Sequence, residues 1–169
     1  MTEERQVRED ERAARDVLER AAETLALLGG AVLVVITLMS VASITSRWLL
    51  GTPLLGDFEL VQLGAAVAIA SFLPFTQLQR NNIIVDFFTT KLNPSLQALL
   101  DTFGSLLLAA MLALFAWRTA AGAIAVKEAG ETSMIMGVPV WYGYALMVPG
   151  LALTVVVAVR GALQDWNRV

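Results

Sequence analysis

Four long stretches of the chain contain no charged residue, and each is a candidate to cross a membrane. A helix needs about 20 residues to span about 30 Å of hydrocarbon. The stretches are Thr24 to Ser46, Leu60 to Gln79, Thr102 to Trp117 and Thr132 to Val159. The third is short by this measure, but Asn93-Pro94 before it is a typical helix start and lengthens it. The pattern predicts an all-α membrane protein with helices at about residues 24–47, 57–80, 94–126 and 138–162.

Prolines modify these predicted helices. Pro74 and Pro149 lie inside the second and fourth helix, where each removes a backbone hydrogen bond and should bend the helix. Membrane helices tolerate such bends when neighbouring groups satisfy the freed carbonyl. Pro139 follows Gly137, and we expect it in the first turn of the fourth helix.

The first 23 residues differ from the rest of the chain. They hold five of the 12 basic and eight of the 15 acidic residues, with many opposite charges four positions apart. Such pairs stabilise an exposed helix by about 0.2–0.5 kcal/mol each. We expect a solvated, charged cytoplasmic helix over residues 1–23, before a transmembrane domain over residues 24–166. Docking of a partner is the alternative role for this helix.

The positions of Lys and Arg predict the orientation, because these residues accumulate on the cytoplasmic side. With both termini in the cytoplasm, nine basic residues lie inside and three lie in the outer loops. The outer ones are Arg47, Arg118 and Lys127. Trp48 and Trp141 then mark the outer membrane interface, where tryptophan is enriched.

The composition agrees with a membrane protein and excludes several functions. Hydrophobic residues make up 57% of the chain and charged residues 16%. The net charge of −3 offers no basic surface for nucleic acid. Cys and His are both absent, which excludes disulfides, thiol redox pairs, haem held by His or Cys, and zinc sites built from their side chains.

Two acidic residues near helix starts are candidates for a special role. Glu59 is two residues after Asp57 at the start of helix two, where an acid favours the positive end of the helix dipole. The alternative for Glu59 is an intramembrane carboxylate that couples protons or cations, which would need a deeper position. Asp101, about two turns into helix three, is either a structural partner of a cation near the inner surface or a transport residue.

The segment after helix two predicts an amphipathic stretch along the inner membrane face. Arg80 ends the helix, Asp86 stays in water, and four apolar residues lie in the interface: Ile83, Ile84, Phe87 and Phe88. Arg80 and Asp86 are placed to form a pair across this turn. At the surface such a pair stabilises little, about 0–1 kcal/mol, whereas at a buried subunit contact the loss of one partner strands a charge.

Three groups of residues, in this order, carry a family resemblance. Trp48 and Glu59 flank the first outer loop. The second group lies at the end of helix two and comprises Leu73-Pro74-Phe75 through Arg80, with Ile84-Val85-Asp86. The third lies at the entry to helix four and comprises Gly130-Glu131-Thr132-Ser133 and Gly137-Val138-Pro139-Val140-Trp141. In these the chain resembles the small membrane subunit of tripartite ATP-independent periplasmic (TRAP) transporters, the DctQ family. Asn81-Asn82 departs from the family, which often has a Gly-His or similar pair there.

The resemblance implies a multi-pass protein of the bacterial inner membrane that does no chemistry and holds no cofactor. Its expected partners are membrane lipids, a large permease subunit (M) that carries the substrate and sodium sites, and a periplasmic binding protein (P) that delivers an organic anion such as a carboxylate or sialic acid. The small (Q) subunit then braces the static scaffold of the large one. Glu59, Arg80 and Asp86 become structural or subunit-contact residues.

Other functions remain open from the residues alone. A self-sufficient cation/proton antiporter, acting as a homodimer of four-helix chains, requires a carboxylate in the middle of a helix, and none of Glu59, Asp86 and Asp101 is predicted there. A membrane enzyme would lack His and Cys, and Tyr142 and Tyr144 fit an aromatic belt better than an active site. The small subunit of the tripartite tricarboxylate system is a neighbouring possibility.

Replacing Arg80 or Asp86 by Ala is expected to weaken assembly with the large subunit, or uptake, because the charged pair brackets an interfacial turn. The variant chains should still reach the membrane. Complex yield and substrate uptake measure the effect, and normal values for both single variants would refute the assignment.

Overall fold

A computed structural model describes residues 2–79 and 94–166. Within these residues the chain forms four helices: α1 (Thr2–Leu50), α2 (Asp57–Leu78), α3 (Pro94–Glu128) and α4 (Trp141–Trp166). Each contains a segment long and apolar enough to cross a membrane. The chain is therefore an all-helical, multi-pass membrane protein, as the apolar stretches predict. The predicted amphipathic segment, with Arg80 and Asp86, lies outside the described residues.

The helices are longer than the charge-free stretches on which the prediction rests. The charged N-terminal segment and the first apolar stretch form one continuous helix, so α1 has 49 residues and is about 74 Å long. No proline or glycine pair separates the two parts before Gly29, which explains why the helix continues.

Two basic residues expected in an outer loop lie in α3 instead. Arg118 is ten positions before the end of this helix, and Lys127 is in its last turn. The charge at Arg118 ends the apolar stretch but not the helix, because the alanine-rich sequence after it favours helix and contains no proline. Arg118 therefore lies inside the helix, as the predicted range 94–126 has it, although the charge count grouped it with the outer loops.

Pro139 precedes α4 rather than lying in its first turn. Thr132 and Pro139 form an isolated antiparallel bridge, and α4 begins at Trp141. Gly137, with a φ of 65°, forms a turn between them. Pro139 therefore belongs to the loop between α3 and α4, whose two halves this bridge joins.

The four helices form a row rather than a closed bundle. α1 packs against α2, α2 against α4, and α4 against α3, whereas α1 and α4 touch only slightly. In the described part of the chain, α3 has no substantial contact with α1 or α2. The spatial order is therefore α1, α2, α4, α3.

Specific contacts give the directions of the helices. Gly29 lies against Ser71, and Gly64 against Ile36, so α1 and α2 are antiparallel. Gly143 faces Leu63 and Gly150 faces Ala70, so α2 and α4 run in the same direction. Gly122 is beside Tyr144 and Lys127 is beside Trp141, so α3 and α4 are antiparallel. The start of α1 and the end of α4 consequently lie at the same end of the row, measured along the helix axes.

Small residues form the contacts between helices. The buried side chains are mostly Ala, Ser and Thr, and the buried surface of α2 consists of Ala68, Ala70, Ser71 and Pro74. Small residues let helix backbones approach closely, which is how helices associate in a lipid environment. Large apolar side chains instead point outward: Leu38, Phe103 and Leu146 are each at least 60% exposed. The surface of the row suits lipid or another apolar protein surface.

The α2–α4 contact is the tightest of these. A Cβ atom added to Gly150 would lie 2.2 Å from the carbonyl oxygen of Ala70, so no side chain fits there without moving a backbone. Pro149, beside it, removes one helical N–H. Thr154, which is buried, donates its hydroxyl to the carbonyl of Gly150 at 2.7 Å.

Gly150→Ala is expected to destabilise the protein by about 1–3 kcal/mol, because the added methyl overpacks a backbone contact. Gly30→Ala is the matched control: a Cβ atom there meets nothing within 4 Å, and alanine favours helix by about 1 kcal/mol. Thermal unfolding in detergent should show a lower midpoint for the first variant and an unchanged or higher one for the second. Equal midpoints would contradict the close approach.

Candidate functional site at the loop end of the row

Two loops meet at one end of the row, which we call the loop end. Residues 51–56 connect α1 to α2, and residues 129–140 connect α3 to α4. The first loop is bounded by two glycines with left-handed backbones, Gly51 at a φ of 76° and Gly56 at 77°. The second folds over the start of α2, which brings parts of the chain that are distant in sequence together.

The α3–α4 loop is a well-ordered turn built from backbone hydrogen bonds. Gly130 ends α3 with a φ of 66°, its N–H bonding to the carbonyl of Lys127 while the N–H of Glu131 bonds to that of Val126. This pattern is the glycine-dependent helix stop known as the Schellman motif. Further on, Ser133 N–H donates to the Val138 carbonyl at 2.8 Å, closing the turn.

Glu59, at the start of α2, holds this turn. One carboxylate oxygen accepts a hydrogen bond from the Ile135 N–H at 3.0 Å, and the other accepts one from the Met136 N–H at 3.2 Å. Successive backbone N–H groups of this kind form a nest for an anion. Here the anion is a side chain of the same protein, so the contact ties α2 to the α3–α4 loop.

A backbone contact reinforces this connection. Gly56 is buried, and a Cβ atom there would lie 2.1 Å from the Cγ atom of Met136. Both the left-handed backbone and the missing side chain are therefore needed for the Met136 side chain to rest on the loop before α2.

A second carboxylate organises the α1–α2 connection. Asp57 accepts a short hydrogen bond from the hydroxyl of Ser43, which is buried in α1, and a second bond at 2.7 Å from the Phe58 N–H. The Ser43 oxygen also accepts the Leu54 N–H at 3.3 Å. The two acids in the first turn of α2 thus bind two different neighbours, Asp57 binding α1 and Glu59 binding the α3–α4 loop.

Aromatic residues mark the level of this end. Trp141 is stacked on Tyr142 with ring centres 4.1 Å apart, and the Lys127 ammonium lies 4.8 Å from the centre of the Trp141 indole ring. Trp48, near the end of α1, is 85% exposed. A lysine beside an indole ring is typical of a membrane interface, where the ring is half in lipid and the charge reaches water.

An open cavity of about 480 Å³ lies between the start of α2 and the α3–α4 loop. Phe58, Leu63 and Val140 form apolar walls, and Glu59 and Gln62 contribute polar groups. The Glu59 carboxylate is already engaged by the loop. Among the described residues no group of three or more acids could hold a metal ion. The described polar groups at this end therefore connect α2 to α1 and to the α3–α4 loop.

The structure brings together only some of the residues predicted to matter. Glu59 and Trp141 both lie at the loop end, and Trp48 is on the exposed surface of α1 near it. Asp101 lies about two turns into α3, and its side chain is outside the part of the chain that the structure describes. Arg80 and Asp86 are also outside this part. These residues do not form one cluster within the described chain.

The sequence did not indicate the partner of Glu59 or the bond between Asp57 and Ser43. Glu59 was predicted to interact with the helix dipole, and the carboxylate does lie in the first turn of α2. The available signal was the glycine-bounded loop between residues 130 and 137, which is typical of a tight turn with free N–H groups. That loop is more than 70 positions away in the chain, and nothing local relates the two.

Comparison with known families gives one match. A family model described as "Tripartite ATP-independent periplasmic transporters, DctQ component" matches residues 33–168, which include α2, α3, α4 and the second part of α1. No curated protein and no solved structure matches the chain significantly. The match agrees with the resemblance carried by the motifs on both sides of helix two and before helix four.

Glu59→Ala is expected to loosen the α3–α4 loop, because the N–H groups of Ile135 and Met136 lose their acceptor. Their hydrogen–deuterium exchange should become severalfold faster, with a smaller change in Glu59→Gln, which keeps one acceptor oxygen. Glu131→Ala is the control, since the Glu131 side chain makes no hydrogen bond in the described chain while its backbone stays in the loop. Unchanged exchange in Glu59→Ala would show that the hydrogen bonds to Glu59 do not hold the loop.

Proposed function

This chain belongs to the DctQ family of tripartite ATP-independent periplasmic transporters, and we propose that it braces the static scaffold of the large permease subunit during uptake of an organic anion. The family match makes it the small membrane subunit of such a transporter. The bracing role is the part that we add. It is carried by one observation, the open row of four helices.

The row suits a bracing subunit for a physical reason. A closed bundle buries its apolar positions inside, whereas a row leaves both broad surfaces available to lipid and to a partner. The contacts between its helices are close backbone approaches at glycines and alanines, which favour one fixed arrangement. The Glu59 contact and the Schellman motif at Gly130 fix the connections at the loop end as well.

The remaining parts of the transporter are assigned to its other subunits. We propose that the sodium and substrate sites lie in the large membrane subunit, and that a periplasmic binding protein delivers the substrate, a carboxylate or sialic acid being typical of the family. The chain would lie in the bacterial inner membrane with both termini in the cytoplasm. The helix directions support this orientation only in part, by bringing the start of α1 and the end of α4 to one end of the row.

The alternative of a self-sufficient antiporter has less support. Such a protein needs a titratable carboxylate deep in the membrane. Glu59 and Asp57 are both in the first turn of α2, and each is hydrogen-bonded by groups of the chain itself. Asp101 lies within two turns of the start of α3. None of these three acids is at the middle of its helix.

The test is the purification of the tagged chain from its native membrane in mild detergent, followed by mass spectrometry. We expect a large polytopic membrane protein in roughly equal amount, whose genuine role in uptake is then measured in liposomes with the binding protein and a sodium gradient. A chain that purifies alone or as a homodimer, and that exchanges cations for protons after reconstitution, would refute the proposal and favour the antiporter.

A further inference from the structure

Arg118 occupies an unusual position on α3. It is exposed, and its contact in the described chain is the neighbouring Trp117 ring, whose centre is 5.9 Å from the guanidinium carbon. No described acidic residue forms an ion pair with it. In the described part of the chain α3 packs substantially only on α4, which leaves the rest of its surface uncovered there.

The depth of Arg118 follows from the contacts of α3 with α4. Lys127, on the same helix, lies against Trp141 at the first residue of α4 and marks the outer membrane interface. Arg118 is nine residues before Lys127, which is about 13 Å along the helix axis. Because the hydrocarbon core is about 30 Å thick, this places Arg118 near its middle.

A charged side chain at that depth needs a partner. The cost of an unpaired arginine at the bilayer centre is high, and such residues face the interior of an assembly or a polar cavity. The side chain is too short to cover the whole distance to the phosphates of the outer leaflet, although it shortens that distance by snorkelling. A carboxylate of another protein at the same depth would neutralise this charge.

The surface around Arg118 has the spacing of a helix contact. Gly104, Leu107, Met111, Leu114 and Arg118 are separated by three, four, three and four residues, and all are exposed. This spacing forms a straight seam in left-handed packing between helices. At Gly104 nothing lies within 4 Å of an added Cβ atom, so this seam has room for a neighbouring backbone.

We infer that this seam of α3 is the surface that binds the large subunit, through a transmembrane helix that carries an Asp or Glu opposite Arg118. The inference rests on the proposed function, because it assigns the partner to the same transporter. The interface then lies along the lateral edge of the row that α3 forms. The acid of the partner neutralises Arg118, and its apolar side chains cover Leu107, Met111 and Leu114.

Two measurements on the full complex test this inference. Arg118→Ala should reduce the yield of co-purified large subunit by about tenfold or more, since it leaves the partner's carboxylate unpaired in the membrane. Arg118→Lys should keep part of the yield, because it keeps the charge. Lys127→Ala, on the same helix at the interface, is the control and should purify like the wild type, with equal amounts of each chain in the membrane.

Cross-linking identifies the neighbour directly. The chain has no cysteine, so Leu107→Cys and Leu114→Cys each provide a single site for a thiol-linked photoreactive label. Both should cross-link to the large subunit. Leu38→Cys, on the exposed surface of α1, should do so much less.

Three results would overturn the inference: a wild-type yield in Arg118→Ala, label at positions 107 and 114 that reaches only lipid, or label that reaches a second copy of this chain. Each can occur while the wild-type chain still purifies with a large subunit, and then only the location of the interface is wrong. A wild-type chain without any large partner would reject the proposed function itself.

Discussion

The close approach of helix backbones along α2 is the constraint on which the rest of the structure depends. In lipid there is no hydrophobic force between helices, so they associate through van der Waals packing and hydrogen bonds. α2 satisfies this on two sides, meeting α1 at Gly29 and Gly64 and α4 at Gly150. Because α2 uses two different sides for these contacts, a row results. Replacing any of these glycines by a larger residue would separate two helices over their whole contact.

The loop end adds a different kind of stabilisation. Packing fixes how far apart the helices lie, but it resists sliding along their axes less well in a smooth apolar interface. The bonds from Asp57 to Ser43 and from Glu59 to the turn after Ser133 are directional, and they fix the height of α2 against α1 and against the α3–α4 loop. Two acids in one helical turn thus set the register of both neighbours. This explains why charged residues stand at the start of a membrane helix without any need for transport chemistry.

Much of the fold was predictable from the sequence, because hydrophobicity over about 20 residues is a local property with one physical cause. The four membrane-spanning helices followed from it, and the motifs indicated the family. The ends of the helices also followed closely: helix three was predicted over residues 94–126, and α3 ends at Glu128 because the alanine-rich sequence after Arg118 favours helix. The row could not be predicted, because outward and inward apolar residues look alike in a membrane protein. The partner of Glu59 was hidden because a bond between residues 59 and 135 has no local signature.

An open row also has a characteristic way of deforming. Sliding one helix along the next would break the glycine contacts and the bonds at the loop end together, so the row is stiff in that direction. Curling about an axis parallel to the helices only rotates each pair about its own contact line. Since α1 and α3 lie at opposite edges without substantial contact in the described residues, little there closes the row against such a rotation. The protein should therefore resist sliding of its helices along their axes more strongly than a change in the curvature of the row. Each helix then keeps its own depth in the bilayer.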